Sequence, residues 1–368
     1  MIPSLDGLRA ISVGFVVASH VTIAPGFSAF SFLTPLLSGL GSLGVRVFFV
    51  ISGFLITRLL LRELESRGRL SLAKFYYRRT LRIFPPFYVF MLTVILLGAV
   101  GWLDLSQTRV WPALLYVSNY FTTNSWYIGH AWSLAVEEQF YLLWPAALLL
   151  LGSRKGLWVA CGFVVLCPLA RLGLLLFYKN APPDIWFRFE FIADSIAIGC
   201  VLAGAREWLH GRRRYVSLLE SKAFFLIPLG VLALNFFFAG TMRYRFYFYV
   251  TACYTLINLG IALCLDRAVT YPDSHTGRVL NSRPLVFVGV ISYSIYLWQE
   301  LFLSETSIFV FPVNLLAIAI ASLASYFLVE RPALRLRNRF EPLLFTRARS
   351  LRKSTERASL SGHDPNFL

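Results

Sequence analysis

Long apolar runs alternate with short polar connections along most of the chain. Each run holds about twenty residues, the length at which an α-helix crosses about 30 Å of hydrocarbon. We therefore predict an all-α integral membrane protein with about ten transmembrane helices. The predicted spans are 10–27, 40–61, 84–101, 132–151, 157–178, 187–205, 223–240, 246–265, 284–304 and 308–329.

The basic residues lie mostly in every second connection between these spans. One alternating set of connections, which includes both termini, carries 27 Lys and Arg residues, whereas the opposite set carries 4. Cytoplasmic loops of membrane proteins are enriched in Lys and Arg, so this bias predicts that both termini are cytoplasmic. An odd number of spans would mix basic and non-basic loops, which also favours an even number.

The composition agrees with a membrane protein. Of the 368 residues, 57% are hydrophobic and 15% are charged, against about 45–50% and about 25% in soluble domains. The net charge of +16 does not predict nucleic-acid binding, because the charges lie between apolar runs that place them at a membrane surface. The predicted membrane domain covers 1–335, and we expect the basic, Ser-rich stretch 336–368 to be a disordered cytoplasmic tail.

The sequence predicts no disulfide framework, no metal site and no cleavable signal peptide. The five cysteines lie within apolar runs and lack the spacing of metal ligands, so we expect neither a disulfide framework nor a metal site. The first apolar run follows Asp6 and Arg9, contains His20 and lacks a clear small-residue cleavage site. We therefore do not predict a cleavable signal peptide.

Ionisable residues inside apolar runs are candidate functional residues, because each costs about 2.5–3.5 kcal/mol in hydrocarbon. Arg9 and His20 on the first predicted helix lie about 20° apart around its axis and about 16 Å apart along it. Arg9 would lie at the cytoplasmic end and His20 near mid-membrane. This arrangement suits a ligand whose anionic end is bound by Arg9 at the surface while its reactive end reaches His20 as a buried base. The alternative is a structural histidine bonded to a neighbouring helix, with Arg9 as an interface anchor.

The fourth predicted helix begins with a polar stripe. Its members recur at helical spacing: His130, Ser133, Glu137, Tyr141 and Trp144. Glu138 points off this stripe. Glu137 would lie about 10 Å into the membrane, a depth close to that of His20, so a carboxylate–imidazole pair of the kind used in acyl transfer is one interpretation. A structural Glu–His or Glu–Arg pair is the other.

Other charges allow a functional and a structural interpretation in the same way. Arg79 and Arg82, spaced i,i+3, can clamp a phosphate group, or they can serve only as a signal of membrane topology. The charges in later runs form structural ion pairs by default. The alternative is that some of them line a cavity together with residues of the fourth helix, the candidates being Ser133, Tyr141, Arg188 and Asp194.

Six segments follow one another over about residues 3–335: SLDGLRAISVGFVVASH, GSLGVRVFFVISGFLI, RRTLRIFPPFY, HAWSLAVEEQFYLLWP, ISYSIYLW and YFLVERP. In this order they resemble the membrane acyltransferase family 3 proteins, which acylate bacterial surface glycans, peptidoglycan and some secondary metabolites. The resemblance implies that His20 is the catalytic base or the acyl-handling group. It also implies that Glu137 is the favoured carboxylate partner of His20, with Glu138 as the second choice.

The resemblance further implies the substrates and the location. Arg9, Arg79 and Arg82 would contact the phosphates of an acyl-CoA donor, in the simplest case acetyl-CoA, which is a co-substrate and not a bound cofactor. The acceptor would be a hydroxyl of a sugar, a glycolipid or a glycosylated metabolite. The protein would be a multi-pass protein of the bacterial cytoplasmic (inner) membrane.

The chain departs from the family pattern in two respects. Many members have a histidine where this chain has Gln299, followed here by Glu300, so we assign Gln299 no catalytic role. Some members carry an extra span and an extracytoplasmic hydrolase-like domain; without them, we expect direct transfer to the acceptor or help from a separate protein.

Two alternatives to this interpretation stay open from the sequence. A covalent acyl-His20 relay is an alternative to direct base catalysis. The rival class is a transporter or flippase of a lipid-linked or acylated sugar, which the lack of internal repeats disfavours.

Overall fold

The computed structural model describes residues 2–121, 125–178, 183–237 and 249–345. Every regular element in these ranges is helical, and none is a strand. The helices numbered in chain order are α1 (Leu5–His20), α2 (Leu40–Arg67), α3 (Leu72–Ala99), α4 (Ala131–Phe177), α5 (Phe189–His210), α6 (Leu226–Phe237), α7 (Tyr254–Thr270), α8 (Arg283–Val290), α9 (Ser292–Phe302) and α10 (Val313–Phe345). Further α-helices lie at Thr34–Leu37, Trp111–Leu114, Arg213–Glu220 and His275–Leu280. Short 3₁₀ segments lie at Val21–Ile23, Phe27–Leu33, Pro183–Phe187 and Lys222–Phe225, and π-helical turns at Tyr249–Cys253 and Tyr326–Glu330.

Several of these helices are long and apolar enough to cross a membrane. Among the described residues there are 6 such helices, or up to 8 if each of two bent helix pairs forms one span. The prediction of a multi-pass, all-helical membrane protein is therefore confirmed, whereas the number of ten spans is not. The predicted span 187–205 corresponds to α5. This helix is not one of the 6 candidate spans, because it carries more charged side chains than they do in their apolar stretches.

A single residue divides the longest helix. Helix α4 covers 47 residues, and Gly152 within it has φ 76° and ψ 168°. This backbone conformation is accessible to glycine and strained for other residues. The two halves on either side of Gly152 correspond to the predicted spans 132–151 and 157–178.

Helix α2 lies at the centre of the bundle. Of its most apolar stretch, 72% is buried inside the protein, a larger share than for any of the other candidate spans. One apolar cluster joins α2 through Phe49 to Phe87 of α3 and Ala135 of α4. A second cluster joins α2 through Phe54 to Ile257 of α7. Helix α2 therefore packs against α3 and α4 on one side and against α7 on the other.

Glycines allow α2 to approach its neighbours closely. A Cβ at Gly53 would collide with the carbonyl oxygen of Ile196 in α5, and a Cβ at Gly199 would collide with the carbonyl oxygen of Val50 in α2. The two backbones therefore touch where side chains are absent, as in other membrane helix pairs with small residues at their contact.

We expect Gly53→Ala to destabilise the protein by about 1–3 kcal/mol, because the added methyl group forces α2 and α5 apart. Gly14→Ala is the matched control, since Gly14 is helical and a Cβ added there would meet nothing within 4 Å. Alanine has the higher helix propensity, so the control should be neutral or stabilising. Thermal unfolding in detergent, followed by circular dichroism, measures both. Equal unfolding temperatures for the two variants would contradict the close contact.

The last helix extends beyond the predicted membrane domain. Helix α10 continues to Phe345, so residues 336–345, predicted as the start of a disordered tail, are helical. The physical reason is an attachment to α3, in which Arg78 Nε donates to Glu341 Oε2 at 2.8 Å and Lys74 Nζ lies 3.1 Å from Glu341 Oε1. The rest of the predicted tail, 346–368, lies outside the described residues.

Candidate functional site

Three arginines from two helices converge inside the bundle. Arg9 of α1 and Arg79 and Arg82 of α3 line both of two adjoining cavities. The Arg9 guanidinium donates to Asp6 Oδ1 at 3.0 Å, and the Arg79 guanidinium lies 4.8 Å from the centre of the Tyr141 ring. The structure thus brings together the three arginines that the sequence indicated as phosphate contacts.

The larger of the two cavities, the basic mouth, has a volume of about 430 Å³. Two carboxylates in its wall are already paired, Glu63 with Arg67 and Glu341 with Lys74 and Arg78. The wall therefore has an excess of positive charge, which favours an anionic ligand. Its basic residues are Arg9, Arg62, Arg67, Lys74, Arg78, Arg79, Arg82 and Arg337.

The smaller cavity, the inner cavity, has a volume of about 100 Å³ and continues from the arginines into the bundle. Ser52 Oγ donates to Glu137 Oε1 at 2.6 Å, and the Tyr141 hydroxyl donates to Ser52 Oγ at 3.1 Å. Glu138 also lines this cavity, as does Ser133. The structure thus places Ser133 and Tyr141 in the wall of the inner cavity.

His20 lies beyond the inner cavity, at the last residue of α1. Its Nδ1 is 2.7 Å from Oε1 of Gln299, and its ring meets the Trp126 ring edge to face, with the centroids 5.0 Å apart. The predicted contact between His20 and Glu137 is absent. Glu137 lies about 9 Å from the start of α4, towards the arginines, and bonds to Ser52.

Two consecutive residues of α9 hold two histidines. Gln299 contacts His20, and Glu300 Oε2 accepts from both the backbone N–H of His130 at 3.0 Å and its ring Nδ1 at 2.6 Å. Trp126 Nε1 donates to the Glu300 carbonyl oxygen at 3.0 Å. Sequence reasoning missed this arrangement. The available signal was the polar pair Gln299-Glu300 inside an apolar run.

Tyr296 connects the inner cavity with the surroundings of His20. Its side chain lines the cavity, and its hydroxyl bonds to Ser133 Oγ of α4 and, at 3.4 Å, to the His130 carbonyl oxygen. Gln299 follows three residues, or about 4.5 Å, further along α9. Helix α9 therefore contributes both a residue of the inner cavity wall, Tyr296, and the residue that contacts His20, Gln299.

Two predicted cavity residues lie elsewhere. Asp194 is fully buried and accepts from Arg171 at 2.8 and 3.1 Å, so it belongs to a structural ion pair and does not line the cavities described. Arg188 precedes α5, with its guanidinium 5.9 Å from the centre of the Tyr120 ring. Burial and a hydrogen bond to Glu190 raise the pKa of Tyr120 to about 12. The geometry therefore favours the structural ion pair for Asp194, and Arg188 lines neither of the two cavities.

The protein is a helical membrane protein with a basic mouth, half-buried arginines and a histidine deeper in the bundle, an arrangement that suits an enzyme with an anionic ligand. A family model described as an acyltransferase domain matches residues 2–329. The chain therefore belongs to this acyltransferase family, as the sequence motifs indicated. This membership places it among enzymes that transfer acyl groups.

Curated relatives agree with the family assignment. The chain is 29% identical to the peptidoglycan O-acetyltransferase OatA of Listeria monocytogenes, over 81% of this chain and 49% of the relative. It is also 29% identical to the O-acetyltransferase OatA of Staphylococcus aureus, over 90% and 57%, and to the putative peptidoglycan O-acetyltransferase YrhL of Bacillus subtilis, over 81% and 48%. The chain thus spans about half the length of the curated relatives it matches. No solved structure matches it.

Proposed function

We propose that the protein is a membrane O-acyltransferase that moves an acyl group, acetyl in the simplest case, from acyl-CoA to a hydroxyl of a carbohydrate. The observation that carries the proposal is the convergence of Arg9, Arg79 and Arg82 between the basic mouth and the inner cavity. Family membership supports the acyl transfer, and the names of the relatives, which include peptidoglycan O-acetyltransferases, support a carbohydrate acceptor.

The two cavities suit the two ends of acyl-CoA. The coenzyme carries its phosphates at one end and its thioester at the end of a long, thin arm. Guanidinium groups bind phosphates through paired hydrogen bonds, so the basic mouth is the phosphate site in this proposal. The narrower inner cavity then takes the arm, with the thioester directed towards His20.

His20 is the base in the proposed reaction. Its Nε2 takes the proton of the acceptor hydroxyl while the hydroxyl oxygen attacks the carbonyl carbon of the thioester. The tetrahedral intermediate collapses, the carbon–sulfur bond breaks, and the departing thiolate receives the proton from His20. Glu137 and Glu138 line the route of the donor and balance the charge of the arginines; they are not partners of the imidazole in this scheme.

The proposed orientation follows from the charges. With the basic mouth in the cytoplasm, both termini are cytoplasmic, and the bias of 27 against 4 Lys and Arg residues supports this arrangement. In this arrangement each half of α4 is one of the ten predicted spans, and α5 is another. Arg9 and His20 lie about 16 Å apart along α1, so the donor enters from the cytoplasm while the acceptor reaches His20 from the opposite side. The membrane would be the bacterial cytoplasmic membrane.

We expect Arg79→Ala and Arg82→Ala each to weaken acyl-CoA binding by about tenfold or more, because a hydrogen bond to a charged group contributes about 1.5–3 kcal/mol. The measurements are calorimetric binding of acetyl-CoA to the purified protein and release of free coenzyme A with a panel of sugar acceptors. Arg154→Ala is the matched control, since Arg154 is exposed and lines neither cavity.

Two outcomes would count against the proposal. Equal weakening by Arg154→Ala would mean that binding depends on total charge and not on the mouth. A wild-type protein that neither binds acyl-CoA nor releases coenzyme A would favour a transporter or flippase.

A further inference from the structure

We propose that Gln299 is the positioning residue of His20. The inference rests on the proposed function. In it, the side-chain carbonyl of Gln299 determines which nitrogen of the His20 ring acts as the base. His20 Nδ1 and Gln299 Oε1 are 2.7 Å apart, and Gln299 is fully buried. A carbonyl oxygen only accepts hydrogen bonds, so the imidazole proton lies on Nδ1 and the lone pair on Nε2.

The surroundings hold this pair in place. The Trp126 ring packs against the His20 ring, and Trp126 Nε1 donates to the carbonyl oxygen of Glu300, the residue after Gln299. The Glu300 carboxylate is in turn bonded to the backbone and ring of His130. The segment of α9 that carries Gln299 is therefore held by Trp126 and His130.

Nε2 of His20 lies on the side of the ring that is directed towards Gly41 of α2. A Cβ at Gly41 of α2 would lie 4.0 Å from Nε2 and 2.9 Å from Ser19 Oγ. Nε2 makes no hydrogen bond to another of the residues that the structure describes. In the proposed tautomer, the nitrogen that carries the lone pair is thus the one without a partner among these residues.

A neutral partner distinguishes this histidine from one that is paired with a carboxylate. The titratable groups near His20 are Glu300 of α9 and, beyond Glu300, His130 in the loop before α4. Arg46 of α2 points elsewhere, towards Ser195 and the Tyr254 ring. Because Gln299 itself carries no charge, it selects the tautomer of His20 without stabilising the imidazolium.

The tautomer can be measured without any assay of activity. Nitrogen-15 NMR of the detergent-purified protein with labelled histidine reports which ring nitrogen is protonated, and the signal lost in His20→Ala identifies His20. We expect Nδ1 to be protonated in the wild type and a mixture of tautomers in Gln299→Met, which has similar length but no carbonyl. A wild-type signal with the proton on Nε2 would overturn the proposal even if the enzyme is active.

A second experiment places a charge at the same position. Gln299→Glu puts a carboxylate beside the imidazole, which stabilises the imidazolium, so the acidic limb of the kcat/KM profile should move by about one pH unit or more to higher pH. Gln107→Glu makes the same change in charge on an exposed residue and should leave the limb in place. A folded Gln299→Glu enzyme with an unmoved limb would contradict the positioning role. If the wild type transfers no acyl group, the proposed function fails, and the NMR result still decides the tautomer.

Discussion

Replacing His20 with alanine should reduce acyl transfer by about 10²–10⁴-fold, the usual contribution of a general base. The donor should bind unchanged, because His20 lies beyond the inner cavity and lines neither that cavity nor the basic mouth. Coenzyme A release gives kcat, and calorimetric binding of acetyl-CoA gives the affinity. The expected result is a loss of kcat with no change in Kd.

The matched control is His275→Ala, which removes an exposed histidine far along the chain in a short helix. It should retain wild-type kcat. His20→Gln tests the chemistry more narrowly, because glutamine keeps a polar side chain at this position but is not a base. Normal turnover by a folded His20→Ala protein would remove His20 from the reaction, and a rise in Kd would mean that His20 contributes to donor binding.

The side of the membrane on which Arg9, Arg79 and Arg82 lie was predictable from the sequence. Two of them share one helix at i,i+3 spacing, and all three lie at the basic ends of apolar runs. Only the family resemblance joined the three as phosphate contacts. Counting basic residues placed them on one side of the membrane but did not bring them together. It could not show that they lie between two cavities, because that depends on how α1, α3 and α4 pack.

The partner of His20 was not predictable in the same way. Spacing along one helix gives the relative direction of its own side chains, whereas Gln299 reaches His20 from 279 residues away. The depth argument for Glu137 also failed, since α1 ends at His20 and α4 turns Glu137 towards Ser52. A contact between helices depends on their rotation about their axes, which the apolar pattern leaves open.

The number of spans shows a similar limit of the sequence. Hydropathy located the apolar runs, but it could not show that Gly152 joins two of them in one bent helix. It also could not show that the pairs Arg213–Glu220 with Lys222–Phe236 and Arg283–Val290 with Ser292–Phe302 bend by 69° and 70°. Hydropathy averages over about twenty residues, so it does not report a change of direction within an apolar run.

Asp194→Ala should destabilise the protein by about 3–5 kcal/mol, because it leaves the Arg171 charge buried without its partner. The Arg171 and Asp194 side chains are 1% and 0% exposed, and the Thr255 hydroxyl bonds to both. Thermal unfolding in detergent measures the effect. The exposed pair of Arg67 and Glu63 is the comparison, and Arg67→Ala should cost less than about 1 kcal/mol.

The double variant Arg171→Met/Asp194→Leu separates a structural pair from a functional one. It removes both charges, so it should recover most of the stability that Asp194→Ala loses. Neither residue lines the two cavities, so the folded double variant should keep the wild-type Kd for acetyl-CoA and the wild-type kcat. A stable double variant without activity would mean that the charge of Arg171 or Asp194 is required for the reaction, since the loss of a purely structural ion pair should leave activity unchanged.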